Sequence, residues 1–336
     1  MTNNYLSRRK FLGTGTLAVA GMAVASKSTF GAPVYIKNLG KPNSLFNGVQ
    51  IGCITYSFRS MPSSAEQLLQ YCLDANVSAI ELMGEAPEAF AGAPVAPPRP
   101  QMAAPAPGQP RPQPSPEYVA AQAEYAKKLA EWRASVPMTR FEQLRKMYND
   151  AGVTVYGFKP SALGVNNSDA EIDYAMRAGK ALGANQVTVE FPTSSVQTKR
   201  LGDIAYRNNM RVGYHGHLQQ TFDMWDASFI QSANNAANFD MGHYVAAGFD
   251  PIEFINARAS HISSMHTKDR KNKANGGQNV VWGQGDTPII EVLNLISKNK
   301  YHFPATIELE YEIPAGSDAV KEVAKCVEYA RKALGA

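Results

Sequence analysis

From residue 49 onward the chain alternates between two hydrophobic rhythms. Short apolar runs bounded by turn residues recur at 49–56, 77–83, 153–158, 186–190 and 211–215, then in a brief run ending at Asp240, then at 261–266 and 304–310. Runs of this length and make-up predict buried strands. Between them lie stretches with apolar residues three and four apart, such as Ala65, Leu68, Leu69, Cys72 and Leu73, or Ile172, Ala175, Met176, Ala181 and Leu182. These predict helices with one buried face. Ser63-x-x-Glu66, Thr139-x-x-Glu142 and Ser168-x-x-Glu171 read as capping boxes at helix starts, and Asp250-Pro251 and Asp286-Thr-Pro288 as an N-cap acid before proline. Further helices are expected over 201–209 and from about 317 to 334. Eight strands alternating with helices predict an α/β fold, a single (β/α)8 TIM barrel. A doubly wound open sheet would carry a glycine-rich phosphate turn after an early strand, and the sequence has none.

The rhythm is broken once. Residues 86–116, after the second strand, turn to Pro, Ala, Gly and Gln, a composition with little to bury, and an Ala/Lys/Glu-rich helix is expected over 117–134. On a barrel this insertion sits at the catalytic face. It is expected to be a lid, a partner arm or, most plainly, a solvated spacer.

The first 32 residues stand apart from the rest. Ser7-Arg8-Arg9-Lys10-Phe11-Leu12 precedes a weakly apolar run to Ala25 and small residues to Ala32, the pattern of a twin-arginine-type export signal and too short to span a bilayer. The mature domain is then 33–336 and its expected location periplasmic, with no stable membrane anchor. Residues 1–32 hold Arg8, Arg9, Lys10 and Lys27 and no acid, so without them the 33 basic residues fall to 29, equal to the 29 acids. A neutral domain gives no reason to expect a nucleic-acid or membrane-surface partner. Cys53, Cys72 and Cys326 are scattered and odd in number, which provides no disulfide framework and no cysteine-rich zinc site.

The chemistry gathers at the carboxyl ends of the late strands, where Glu190, His215, Asp240, His266 and Glu308 fall in turn. Ionisable groups at such positions are costly to bury unless they bind something. Carboxylates with an imidazole suit one divalent ion, Mn²⁺, Mg²⁺ or Co²⁺ first, with Zn²⁺ also open. His215 and His217, two apart, share a face, whereas His261 and His266, five apart, face opposite ways, so His261 is expected to pack or lie at the surface. Glu310 shares a face with Glu308 nearer the rim, and Glu312 lies beyond it. Trp225 and Trp282 offer rings that can stack on a sugar, with ordinary packing the plainer expectation.

Taken in order, Tyr56-Ser57-x-Arg59, Ile80-Glu81-Leu82, Tyr214-His215-Gly-His217, Asp240-x-Gly-His243, His266-x-Lys268-Asp269 and Ile307-Glu308-x-Glu310 resemble the xylose isomerase-like TIM-barrel family, the sugar phosphate isomerase/epimerase group. The resemblance runs from about residue 49 to 334, apart from the Pro-rich insertion. It implies metal ligation by Glu190, Asp240, His266 and Glu308, and substrate contacts from His215, His217, His243, Lys268 and Arg270. It also implies metal-assisted proton transfer with Glu190 and Glu308 as the catalytic pair. Gly216, where the family more often has Asn, points to a different substrate.

The activity expected first is a divalent-metal-dependent isomerase or epimerase of a non-phosphorylated sugar or keto-sugar, since sugar phosphates are scarce outside the cytoplasm. A lyase or dehydratase acting on a keto-glycoside or inosose comes next, then a non-catalytic sugar-binding barrel. A homo-oligomer is compatible with all three. A metal-dependent abasic-site endonuclease fits poorly, given a neutral surface charge and six histidines.

Overall fold

The computed structural model describes residues 40–98, 100 and 113–336. The expected export signal lies outside the described residues, as does much of the Pro-rich stretch. Eight parallel strands form the centre: β1 (Val49–Ile54), β2 (Ala79–Met83), β3 (Thr154–Lys159), β4 (Gln186–Glu190), β5 (Arg211–His215), β6 (Asn235–Asp240), β7 (Ile262–Thr267) and β8 (Ala305–Ile307). Each pairs with the next in chain order and β8 pairs back with β1, closing the barrel. Closure leaves no strand edge, and it turns all eight carboxyl ends towards one mouth.

The helices are α1 (Ala65–Asp74), α2 (Glu85–Phe90), α3 (Pro116–Ser135), α4 (Thr139–Asp150), α5 (Asp169–Leu182), α6 (Ser195–Asn208), α7 (Asp226–Gln231), α8 (Met241–Ala247), α9 (Pro251–Arg258), α10 (Ile289–Asn299) and α11 (Ala319–Ala333). Most of the long helices bury an apolar stripe, whereas α3 buries only Leu129 and Arg133. α1 covers the barrel with the expected five residues, and α5 with Ile172, Ala175, Met176 and Leu182. Trp225, Phe239, Tyr244 and Phe254 pack ring against ring outside β6, and Trp225 and Trp282 both belong to the core. The three cysteines are free and buried.

Several boundaries differ from expectation, each for a local reason. The box on α1 is made by Ser64 with Gln67, one residue on from Ser63 and Glu66. Thr139 is already inside α4, whose N-cap is Met138 with no side-chain bond. Asp286 does not cap α10; its carboxylate instead accepts from Asn272 N and Asn275 Nδ2 and ties down the loop after β7. Ser168 with Glu171 and Asp250 before Pro251 cap as the sequence implied. β8 stops at Ile307, so Glu308 and Glu310 lie on the segment that follows it.

The described parts of the insertion and the helix after it are more structured than a solvated spacer. The insertion's first residues form α2, and α3 spans the helix expected over 117–134. The buried Arg133 of α3 donates to Glu88 of α2 through Nε (3.0 Å) and an Nη (2.9 Å), to Ser161 Oγ (2.8 Å) and to Glu171 (3.3 Å). Tyr174 completes the set by donating to the same Glu88 oxygen at 3.1 Å. Burial pushes the Glu88 carboxyl up, but Arg133 opposes that shift, and the pairing fastens α3 to the barrel wall.

Candidate metal and proton-transfer site

Strand register decides which strand-end residues meet. Asp240 pairs with His266 across β6 and β7, and Glu190 with His215 across β4 and β5. Glu308 follows one residue after β8, its backbone N–H bonded to Thr267 O. Four side chains thereby converge. Ligand atoms of His215, Asp240, His266 and Glu308 lie within 4.8 Å of one another, and all four residues are buried.

Both imidazoles are held from behind. Glu81, in the middle of β2, accepts from His266 Nε2 at 2.8 Å, which turns Nδ1 towards Glu308 at 3.1 Å. His215 Nδ1 lies 3.0 Å from Asn238 Oδ1, and the Asn238 amide N–H groups go to Glu81 (3.0 Å) and Ser264 Oγ (2.8 Å). That fixes the Asn238 oxygen as acceptor, puts the His215 proton on Nδ1, and leaves Nε2 with its lone pair facing Asp240, 3.9 Å away. Thr188 donates to the other Glu81 oxygen at 2.5 Å. An outer carboxylate or amide orienting each imidazole is how proteins prepare histidine for a metal.

Each support stands beside an irregularity in strand pairing. Register slips between Ile80 and Glu81 against β3, and between Ala237 and Asn238 against β7. The extra residue of each slip is on the neighbouring strand, Tyr156 and Ser263 respectively, and Asn238 shares a strand face with Asp240 by ordinary period-two alternation. Sequence reasoning cited Glu81 within a motif but gave it no role, and passed over Asn238.

The donor set fits a divalent cation. It offers two imidazole nitrogens and two carboxylates, and Asp240 Oδ2 is buried without an aligned hydrogen bond. Lys268 Nζ stands beside that oxygen at 2.9 Å, poorly aligned with it, and also lies 2.5 Å from Glu308 and 2.6 Å from Glu310. Burial opposes charge on Lys268, yet Asp240, Glu308 and Glu310 together hold the ammonium ionised. Burial likewise works against charge on His266, but Glu308 and Glu81 raise it to about 10. The reciprocal effect takes Glu81 against its own burial down to about 2, and Lys268 with His266 draws Glu308 well below the usual range. His215 goes the other way: burial beside His266 and Lys159 pushes it to about 3, so it stays neutral.

Glu190 is placed elsewhere. It was expected to ligate with Asp240, His266 and Glu308, but it stands half-exposed at the rim and His215 takes the fourth place in the group. Its two oxygens bind Lys159 Nζ and His217 Nε2, each at 2.7 Å. His217 Nδ1 lies 3.2 Å from His243 Nε2, and His243 Nδ1 lies 2.6 Å from Arg270. A guanidinium can only donate, so His243 accepts at Nδ1 and carries its proton on Nε2. His217 then accepts at Nδ1 and donates from Nε2 to Glu190. The result is one directed chain, Arg270 to His243 to His217 to Glu190. Burial beside Lys268 takes His243 to about 3, while the Glu190 hydrogen bond raises His217.

Of the residues expected to touch substrate, His217 is the most accessible, with a side chain 48% exposed. His243 and Arg270 lie just behind it, whereas His215 and Lys268 are enclosed among the carboxylates. His261 packs against Phe229 (rings 4.3 Å apart) and Glu312 is exposed, so both lie away from the site.

The sequence model described as xylose isomerase-like TIM barrel matches residues 118–331. An inosose dehydratase of Clostridium tetani (strain Massachusetts / E88) is 26% identical over 155 residues, 39% of this chain and 50% of that one. The chain thus spans about half the length of the curated relatives it matches. Two solved structures share the fold. A sugar phosphate isomerase/epimerase from Parabacteroides distasonis ATCC 8503 has a TM-score of 0.56 at 14% identity, covering 84% of this chain and 93% of that one. The IOLI protein with a binding zinc atom has a TM-score of 0.52 at 14% identity, covering 84% and 98%.

Proposed function

The chain belongs to the xylose isomerase-like TIM-barrel family, and from that premise we propose that it is a metal-dependent lyase of the dehydratase type acting on an inosose or a non-phosphorylated keto-sugar. The observation that carries this reading is the His217–Glu190 pair, standing at the mouth beside the buried group of His215, Asp240, His266 and Glu308. Those four residues would hold the divalent cation, which supplies Lewis-acid polarisation of the substrate carbonyl and so acidifies the adjacent C–H. The match to inosose dehydratases supports elimination over the isomerase or epimerase activity expected first.

Elimination needs a base for the proton beside the carbonyl and an acid for the departing hydroxyl. His217 serves both in turn. Its Nδ1, the lone pair that meets His243 Nε2–H in the free protein, takes the proton once substrate stands in that place. Glu190 stabilises the imidazolium through Nε2–H, and the Nδ1 proton passes to the hydroxyl, which leaves as water. Glu190, neutralised by Lys159 and His217, is itself a weak base, so its part is to tune His217. His243 and Arg270 fix the His217 ring, while Asp240 and Glu308 would stay with the cation. The N-terminal pattern supports export to the periplasm, where a free keto-polyol is a more plausible substrate than a phosphorylated one.

The test is to incubate Mn²⁺-loaded protein with inososes and keto-sugars in D₂O and follow mass and NMR. Loss of one water, with deuterium entering at the carbon that lost its hydroxyl as the enol product ketonises, supports the lyase. Deuterium entering without loss of water moves the activity to an epimerase or isomerase. Binding with neither leaves a sugar-binding barrel.

A further inference from the structure

We infer that Lys268 is a built-in competitor for the divalent cation, an ammonium that holds the site's carboxylates until a metal ion displaces it towards the mouth. This rests on the metal-binding part of the function proposed above. Lys268 Nζ lies 2.9 Å from Asp240, 2.5 Å from Glu308 and 2.6 Å from Glu310, and its side chain is 3% exposed. An ammonium has three protons to donate, and here three carboxylates surround it. Two of the three, Asp240 and Glu308, belong to the group with metal-ligand spacing. A divalent ion bound at about 2.0–2.2 Å from those oxygens would sit against the ammonium, and two cations cannot share them.

The third carboxylate offers a way out. Glu310 is outside the ligand group, is 20% exposed and approaches His243 Nε2 to 3.7 Å. Lys268 can release Asp240 and Glu308 while keeping Glu310, which carries its charge towards His243 and the rim. The stem has no freedom on the other side, because α8 packs against it at Gly242, where an added Cβ would fall on Lys268 Cγ. Metal entry and the arrival of a substrate-facing cation are therefore one event. That reconciles the substrate role expected for Lys268 with its enclosed position.

The experiment compares Mn²⁺ affinity of chelator-stripped wild type and K268M by competition with a chromophoric chelator, with a thermal melt of each stripped protein. K268M should bind Mn²⁺ at least tenfold more tightly, and its stripped form should melt at a lower temperature because three carboxylates lose their counter-ion. Equal or weaker affinity in K268M overturns the inference and leaves the metal site standing. Absence of Mn²⁺ binding in both proteins overturns the metal site itself. Should K268M fail to fold, amine acetylation of wild type with peptide mapping decides. Lys268 protected in stripped protein and labelled several-fold faster with Mn²⁺ supports displacement; equal protection overturns it.

Discussion

Glu81 Oε2 accepts from His266 Nε2 at 2.8 Å, beneath the point where the carboxyl ends of β6, β7 and β8 meet. This contact chooses which imidazole nitrogen faces the site, and through Asn238 it also orients His215. Glu81 is fully buried and cannot touch substrate directly. Replacing it with Gln keeps the shape but lets an amide N–H compete for the His266 nitrogen. Glu81→Gln should weaken Mn²⁺ binding about 10- to 100-fold, measured by chelator competition, with far-UV circular dichroism unchanged. Wild-type affinity in this variant would remove Glu81 from the site.

The same pair sets a pH dependence in chelator-stripped protein. His266 is raised to about 10 in the fold, above an unfolded value of about 6.5. Its contribution is therefore complete below about pH 6.5 and is lost as pH climbs to about 10. Glu81 is lowered to about 2, so its contribution is present above about pH 4.3 and is lost as pH falls towards 2. Melting temperature should form a plateau between about pH 4.3 and 6.5 and decline on both sides. The alkaline decline should be shallower in Glu81→Gln, where one of the two charges raising His266 is gone; identical alkaline limbs would contradict the coupling.

His217 and Glu308 should separate by what they damage. His217→Gln should lower kcat about 10²- to 10⁴-fold while Mn²⁺ affinity stays near wild type, because His217 is outside the four-residue group of His215, Asp240, His266 and Glu308. Glu308→Gln should lose both turnover and metal. Steady-state kinetics paired with metal analysis checks both. Full turnover in either variant would refute the role given to that residue.

Docking of the insertion hinges on one buried cation. Arg133→Ala would leave Glu88 buried without its counter-ion, which costs about 3–5 kcal/mol in comparable buried pairs. Chemical denaturation should show a loss of that order, and limited proteolysis should open α3 first. A loss under about 1 kcal/mol, the range of exposed ion pairs, would mean that α3 is not fastened to the barrel.

Period-two and period-3.6 patterning alone determined the barrel, the order of its strands and the residues that cap them: Glu190, His215, Asp240, His266 and Glu308 could be read directly from the chain. That information is local, because an apolar run must end where burial ends and a polar residue then marks the strand mouth. Which of those residues meet was not local. The group gained His215 and lost Glu190 because barrel closure and strand register, set by pairing between strands rather than within them, decide how each strand end is turned. Glu81 and Asn238 gained their roles only through contacts with His266, His215 and each other across the barrel, which hydrophobic periodicity does not show. Lys268 read as a hand for substrate, and only the three carboxylates converging from β6 and the segment after β8 made it their counter-ion.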